Sequence, residues 1–208
     1  MATIHSFFHI YNRGAKKLPL FLRIEDYQRF LEKLRNCCAK LSVCLLAYCI
    51  MPNHYHFELG LYNNYMTNIP KMMHALATSY GMYFNKLYKG SGHVFQGTYK
   101  IRQISSNSDL IHVSKYIHQN PVEHINTKKW WKAAAYMRKY HWSSYREYLG
   151  LSNSQLVNSN VLLDLFGANL QSFTCYTEKK LMKWELSEIQ REPSKNAGRY
   201  VSYFRAKG

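Results

Sequence analysis

Two histidines separated by one residue, His54 and His56, form the first pair of side chains that could act together in chemistry. They lie in the segment 54–61, where polar and apolar residues alternate, so a strand would project both imidazoles and Glu58 from one face. Two imidazoles at this spacing can chelate a divalent cation. The chain has ten histidines, however, and such a pair on a polar face is more often solvated than ligated. By itself the pair indicates a metal site only weakly.

A tyrosine and an asparagine four residues apart, Tyr116 and Asn120, form the second pair. Apolar residues at helical spacing predict a helix over 108–120, and Pro121 predicts that this helix ends near Asn120. Positions i and i+4 of a helix lie one above the other, so the Tyr116 phenol would lie beside the Asn120 amide. The chain has 18 tyrosines, most of which must serve in packing or in stacking on nucleic acid. Spacing alone does not separate Tyr116 from these.

The elements that must position these residues are predicted from hydrophobic periodicity and from turn residues. Turn signals at 12–14, 52–53 and 90–92 separate the periodic segments, and the fourth strand is interrupted at Gly97. Ser108 and Asp109 are the predicted N-cap of the last helix. The predicted strands are 4–11, 43–50, 54–61 and 94–104, and the predicted helices are 24–41, 66–87 and 108–120.

The order β-α-β-β-α-β-α predicts an α+β fold, a ferredoxin-like antiparallel sheet with helices on one face and an additional helix after the fourth strand. This domain is predicted to span residues 1–125, and 126–208 to form a basic, mostly helical C-terminal extension. Within the extension, 141–149 and 161–166 are predicted to be short docking segments, and 181–208 a helix followed by a basic tail.

The charge balance favours a polyanionic partner. The chain of 208 residues has 28 Lys and Arg against 12 Asp and Glu, a net charge of +16, which makes nucleic acid the first candidate. The longest apolar run, 43–51, is far shorter than the ~20 residues that span a membrane, and the N-terminus lacks signal-peptide character. A cytoplasmic protein without a membrane partner is therefore expected. Five cysteines without a Cys-x-x-Cys pair argue against a disulfide framework or a zinc ribbon.

Four motifs, taken together and in order, resemble the single-tyrosine HUH transposases, and among these most closely the REP-associated tyrosine transposases. The motifs are Tyr11-Asn12-Arg13-Gly14, Met51-Pro52-Asn53-His54-Tyr55-His56, Gly92-His93-Val94-Phe95-Gln96-Gly97 with Tyr99-Lys100, and Tyr116-Ile117-His118-Gln119-Asn120-Pro121. The resemblance covers roughly residues 4–125, and Trp142-Ser143-Ser144-Tyr145 resembles a segment that follows the domain in that family. Four motifs in order are far more specific than any one of them.

The resemblance implies both a chemistry and the residues that perform it. In that family two histidines and a polar residue four positions after the nucleophile bind a divalent cation, and a tyrosine attacks a DNA phosphate. These roles fall to His54, His56, Asn120 and Tyr116 by matching position. Oxygen ligands suit Mg²⁺ or Mn²⁺, and two imidazoles favour Mn²⁺. The implied activity is nicking and joining of single-stranded or hairpin DNA through a covalent 5′-phosphotyrosine, by a monomer or a homodimer.

The basic side chains expected to contact DNA are Arg13, Lys100, Arg102, Lys128 and Lys129. The cluster 128–132, which interleaves lysines with two tryptophans, is equally typical of an ordinary amphipathic surface helix. The main alternative function is a domesticated module that binds a DNA or RNA hairpin without cutting it. A relaxase or rolling-circle initiator shares the chemistry but usually has a larger chain. The presence of all four candidate site residues favours the enzyme.

Overall fold

The computed structural model describes residues 3–62, 66–125 and 127–179. The strands are β1 (Ser6–Arg13), β2 (Val43–Met51), β3 (His54–Leu61) and β4 (Lys100–Ile104), and they form one antiparallel sheet in the order β2-β3-β1-β4. The α-helices of these ranges are α1 (Ile24–Leu41), α2 (Asn68–Tyr88), α3 (Asn107–Gln119), α4 (Trp130–Lys139), α5 (Tyr145–Tyr148), α6 (Asn160–Asp164) and α7 (Leu170–Lys179). The predicted α+β, ferredoxin-like fold is confirmed.

Helix α1 illustrates how local sequence sets the element boundaries. The Asp26 carboxylate in its first turn accepts hydrogen bonds from the backbone N–H groups of Leu22 and Arg23, at 2.9 and 3.0 Å. Phe30 and Leu34, four residues apart, are both fully buried on the sheet side of the helix. Ser42 then adopts a left-handed conformation, with φ of 51°, and ends the helix before β2 begins. The predicted range 24–41 matches α1.

Strand β3 divides its side chains between two cores, as its alternation predicts. Tyr55, Phe57 and Leu59 enter a core shared with α1 and α2. The alternate residues, beginning with His54 and His56, face the opposite side of the sheet, where α3 packs. The additional helix after the fourth strand thus covers the face that the first two helices leave open, and it brings its C-terminal end to the start of β3.

A second core lies between the sheet, α3 and the C-terminal extension. Strand β2 is buried on both faces, and Leu46, Cys49 and Met51 are among the residues that it contributes to this core. Helix α3 contributes its apolar stripe, and the extension contributes Tyr145 and Phe173, among others. The chain before and after residue 126 therefore shares one apolar interior.

Two local predictions near the site are wrong. Only 100–104 of the predicted strand 94–104 is strand, because Gly97 takes a positive φ of 64° and Phe95 forms an isolated bridge with Gly14 instead. The N-cap of α3 is Ser106, whose hydroxyl accepts from the backbone N–H of Asp109 at 3.1 Å, and not residue 108 or 109. Four serine or aspartate residues, Ser105, Ser106, Ser108 and Asp109, lie close together here, and the extended backbone at Ser106 immediately before the first helical turn selects among them.

The extension is mostly helical over its described residues, as predicted. Helix α5 lies within the predicted docking segment 141–149 and α6 overlaps the predicted segment 161–166, whereas α7 was not predicted. The predicted helix and basic tail of 181–208 lie outside the described residues. Within the described ranges, no helix has the length and apolar character needed to cross a membrane.

Candidate active site

His54 and Asn120 meet where the start of β3 adjoins the end of α3. Nε2 of His54 lies 3.1 Å from Oδ1 of Asn120, and its Nδ1 lies 2.8 Å from Oδ1 of Asn53. The Asn120 amide N–H donates to the backbone carbonyl of Tyr116 at 3.2 Å, which orients its oxygen towards His54. The predicted pairing of positions 116 and 120 on one helix face therefore places an amide oxygen beside the first histidine.

The protonation state of His54 determines what its contact with Asn120 can do chemically. Burial lowers the pKa of His54 to about 4, so its imidazole is neutral near pH 7 and carries one N–H. Both ring nitrogens face amide oxygens, Oδ1 of Asn53 and Oδ1 of Asn120, so the nitrogen that lacks the hydrogen faces an oxygen with only a lone pair. A nitrogen lone pair and an oxygen lone pair face each other in a buried setting. Two such donors repel each other unless a cation or a proton lies between them, so the pair fits a metal site.

His56 adds a third electron-pair donor. Its ring centre lies 5.3 Å from that of His54, with the two rings nearly perpendicular. Burial lowers the pKa of His56 well below its usual value, and its Nε2 is buried without a hydrogen-bond partner in the described part of the chain. A buried polar atom without a partner is costly unless a ligand satisfies it. The two histidines and Asn120 together thus fit the divalent cation that the sequence predicts.

Tyr116 presents its ring to this group. Its centre lies 5.3 Å from the His56 ring and 5.8 Å from that of His9, edge-on in both cases. The side chain is only partly buried, whereas Lys115 and Ile117 on either side are buried. Burial, together with the negative charge of Glu123, raises the pKa of the Tyr116 phenol. The phenol is therefore protonated in the resting protein and must lose its proton before it can act as a nucleophile.

Two hydrogen bonds to the extension flank the tyrosine along α3. The Lys115 ammonium group donates to the backbone carbonyl of Tyr176 at 2.6 Å, and the Gln119 amide donates to that of Thr177 at 2.6 Å. Both donors are buried. The helix that carries Tyr116 is thereby joined to α7 through one residue before the tyrosine and one after it in the sequence, a relationship that the sequence did not reveal.

Two further residues, His9 and Glu58, lie on the α3 side of the sheet, and neither of them was assigned a role from the sequence. His9 of β1 lies with its Nε2 3.0 Å from Nδ1 of His56, and only the β1–β3 register could have indicated this. Glu58, which pairs with His9 across the strands, is fully buried, and neither carboxylate oxygen has a hydrogen-bond partner among the described residues. Burial and the nearby charge of Asp109 raise its pKa well above the usual range, so Glu58 holds a proton.

The predicted DNA-contacting residues of the domain lie along β1 and β4. Arg13 is paired in register with His54, and its guanidinium donates to the side chain of Gln96. Lys100 is exposed on β4. Arg102 forms two hydrogen bonds with Asp109, at 2.7 and 2.9 Å, so its charge is partly neutralised. Arg102 is consequently a weaker candidate for a phosphate contact than the other two.

Lys128 and Lys129 are exposed just before α4. The Lys129 ammonium group lies 5.7 Å from the ring centre of Trp131. Trp130 and Trp131 are 42% and 53% exposed, while α4 packs against the second core through alanines and Met137. The helix is amphipathic, as an ordinary surface helix would be, but its two largest apolar side chains lie on the solvent side.

No cluster of three or more His, Cys, Asp or Glu residues with metal-binding geometry occurs in 3–62, 66–125 and 127–179. The candidate set consists instead of two imidazoles and an amide. Such a set leaves the remaining coordination positions to oxygens from outside the protein, which suits an ion that must contact a phosphate.

Comparison with known proteins agrees with this geometry. Residues 7–120, more than half of the chain, match the family model described as "Transposase IS200 like". A solved structure of a REP-associated tyrosine transposase bound to a REP hairpin is similar in fold, with a TM-score of 0.52 and 16% identity over 73% of this chain and 85% of that one.

A putative transposase from Deinococcus radiodurans also matches, with a TM-score of 0.41 and 16% identity over 56% of this chain and 92% of that one. A search of the curated proteins found no match. The family match over residues 7–120 shows that this chain belongs to the IS200-like transposase family.

Proposed function

We propose that the chain nicks and joins single-stranded or hairpin DNA, with Tyr116 as the nucleophile and with His54, His56 and Asn120 holding Mg²⁺ or Mn²⁺. The observation that carries the proposal is the approach of His54 Nε2 to Asn120 Oδ1, 3.1 Å apart, beside Nε2 of His56, which has no hydrogen-bond partner among the described residues. When bound, such a cation draws charge from a non-bridging phosphate oxygen and so lowers the barrier to attack.

The covalent step exchanges one phosphate ester for another. The Tyr116 phenol loses its proton, and its oxygen forms a bond to phosphorus while the bond from phosphorus to the 3′ oxygen of the neighbouring nucleotide breaks. The 3′ oxygen leaves with a proton, and the 5′ phosphate stays on the tyrosine. Because the new ester retains the energy of the old one, a 3′ hydroxyl from another strand can reverse the exchange without ATP.

The proposed substrate rests on charge and exposed aromatic surface. Proteins that bind single strands usually neutralise the phosphates with basic side chains and stack the unpaired bases on aromatic rings. Arg13 and Lys100 supply charge near the site, and Trp130 and Trp131 supply exposed rings beside Lys129. The REP hairpin bound by the similar solved transposase makes a hairpin the natural first substrate to test. We expect the protein to act in the cytoplasm, as a monomer or homodimer.

The test is a covalent protein–DNA adduct. The protein is incubated with Mn²⁺ and end-labelled hairpin strands taken from the DNA that flanks its own coding region, then separated on a denaturing gel. Tyr116→Phe removes one oxygen, keeps the ring and is expected to abolish the adduct. Tyr11→Phe is the matched control, because the Tyr11 ring also lies within 5.5 Å of His56.

Loss of the adduct in Tyr11→Phe, with retention in Tyr116→Phe, would place the nucleophile on β1. Tight hairpin binding without an adduct on any native strand would instead support the binding-only module.

A further inference from the structure

His9 lies against His56 inside the sheet face that carries the candidate site. The two rings are stacked with centres 5.2 Å apart and planes 20° apart, and Nε2 of His9 lies 3.0 Å from Nδ1 of His56. Both residues are buried, at 8% and 2% exposure. The β1–β3 register sets this contact, since His9 is opposite Glu58 and Tyr11 is opposite His56 on neighbouring strands.

A hydrogen bond between two neutral imidazoles has only two arrangements, because each ring has one N–H and one lone pair. If His9 donates, Nδ1 of His56 accepts, and the hydrogen of His56 must then lie on Nε2. That arrangement would bury an N–H without an acceptor among the described residues. If His56 donates instead, its Nε2 has a free lone pair that points into the candidate site.

We propose that His9 is a positioning residue that accepts a hydrogen bond from Nδ1–H of His56 and so reserves the Nε2 lone pair of His56 for the divalent cation. Only the statement that the Nε2 lone pair serves a divalent cation rests on the proposed function. A histidine that binds a metal through one nitrogen usually donates a hydrogen bond through the other, which fixes both its tautomer and its ring orientation. In this chain the acceptor is an imidazole on a neighbouring strand.

The aromatic contacts show why the substitution must be chosen with care. The Tyr116 ring lies edge-on to both imidazoles, so a small residue at position 9 would leave a gap against the proposed nucleophile. His9→Leu fills most of the space but cannot accept a hydrogen bond. His9→Gln places an amide oxygen at about the reach of Nε2 and restores the acceptor. His74→Leu, at an exposed position of α2, is the control for loss of a histidine.

The primary measurement is the tautomer of His56 in the metal-free protein, read from two-bond ¹H–¹⁵N NMR of protein labelled with ¹⁵N-histidine. The signals of His56 are assigned by their loss in His56→Gln. The wild type is expected to carry its hydrogen on Nδ1, the less common tautomer, and His9→Leu is expected to move it to Nε2. His9→Gln and His74→Leu are expected to keep the wild-type tautomer. A wild-type His56 protonated on Nε2 would overturn the proposal without any variant.

The second measurement is the affinity for Mn²⁺ without DNA, from the EPR signal of the free ion. His9→Leu is expected to weaken binding by about 10- to 100-fold, and His9→Gln to recover most of the loss. Equal affinity in His9→Leu and wild type would contradict a positioning role. Failure to form a DNA adduct, with this tautomer and this Mn²⁺ affinity intact, would count against the proposed function alone.

Discussion

The amide of Asn120 is held by the backbone of the tyrosine that it accompanies, since its N–H donates to the Tyr116 carbonyl while its oxygen faces Nε2 of His54 at 3.1 Å. One side chain therefore links the position of the proposed nucleophile to that of the proposed metal ligands. Replacing it should affect cleavage without removing either histidine.

We expect His54→Ala to lower the cleavage rate by at least about a hundredfold, roughly 3 kcal/mol of transition-state stabilisation, and Asn120→Ala by about tenfold. The Asn120 amide would be one of several oxygen ligands to the cation, whereas the His54 imidazole would be one of only two nitrogen ligands. Single-turnover cleavage of a labelled hairpin strand measures both effects, and a gel-shift assay checks that hairpin binding is retained. Equal loss of hairpin binding in both variants would indicate that the cluster is structural.

Glu58 should make stability depend on pH. Its pKa is raised in the folded protein, so folding takes up a proton above the pKa of the unfolded glutamate, and stability falls as pH rises from there towards the folded pKa. Glu58→Gln removes this dependence. With EDTA present, urea unfolding should show the variant gaining stability relative to wild type between pH 5 and pH 8, as roughly estimated from the unfolded pKa.

Glu32→Gln, at an exposed position of α1, is the control for loss of a carboxylate and should show no such gain. A constant difference in the free energy of unfolding between Glu58→Gln and wild type across this pH window would mean that folding does not raise the pKa of Glu58.

Glu178 joins α7 to α4 and α5 within the extension and should matter for stability. Its buried carboxylate accepts from Arg138 at 2.7 and 2.8 Å and from the Tyr145 hydroxyl at 2.6 Å. We expect Glu178→Gln to lower the free energy of unfolding by about 1–3 kcal/mol, because the buried Tyr145 hydroxyl and the half-exposed Arg138 guanidinium both lose a charged acceptor. Glu32→Gln, which breaks the exposed pair with Arg29, should cost no more than about 0.5 kcal/mol. Thermal unfolding compares the two.

Trp131 should contribute to single-strand binding through stacking. Trp131→Ala is expected to weaken binding of a single-stranded oligonucleotide by about 1–3 kcal/mol per stacked base. Lys129→Gln should reduce the steepness of the salt dependence by about 0.7 for each phosphate that the lysine neutralises. Fluorescence anisotropy at two or more salt concentrations measures both. Leu151→Ala, which removes a side chain that is 50% exposed, is the matched control for exposed apolar surface. Equal effects of the Trp131 and Leu151 substitutions would rule out stacking.

The parts of the fold that the sequence predicted well are those with a strong local period. Alternation in 54–61 assigned His54 and His56 to one face and Tyr55 and Phe57 to the core, because a strand places successive side chains on opposite faces. The i, i+4 relation between Tyr116 and Asn120 depends on helix geometry alone and is likewise present.

The parts that it missed depend on pairing across distant segments. His9 contacts His56 only because of the β1–β3 register, which a single strand sequence does not specify. The break at Gly97 was predicted, but not that the whole segment before Lys100 would lose strand structure, because a glycine allows a turn without specifying how far the strand recedes. Helix α7 packs through Phe173 into the second core, against segments that are distant in the sequence.

The bonds from Lys115 and Gln119 end on main-chain carbonyls of α7, not on its side chains. Every residue type offers such a carbonyl, so both hydrogen bonds would persist if position 176 or 177 changed identity, although replacing Tyr176 would remove the contact of 4.6 Å between its ring centre and the Lys115 ammonium group. The family match ends at residue 120, before this helix begins. Selection on the extension would accordingly act on the path of its backbone, and related chains could preserve that path while their sequences diverge beyond what alignment detects.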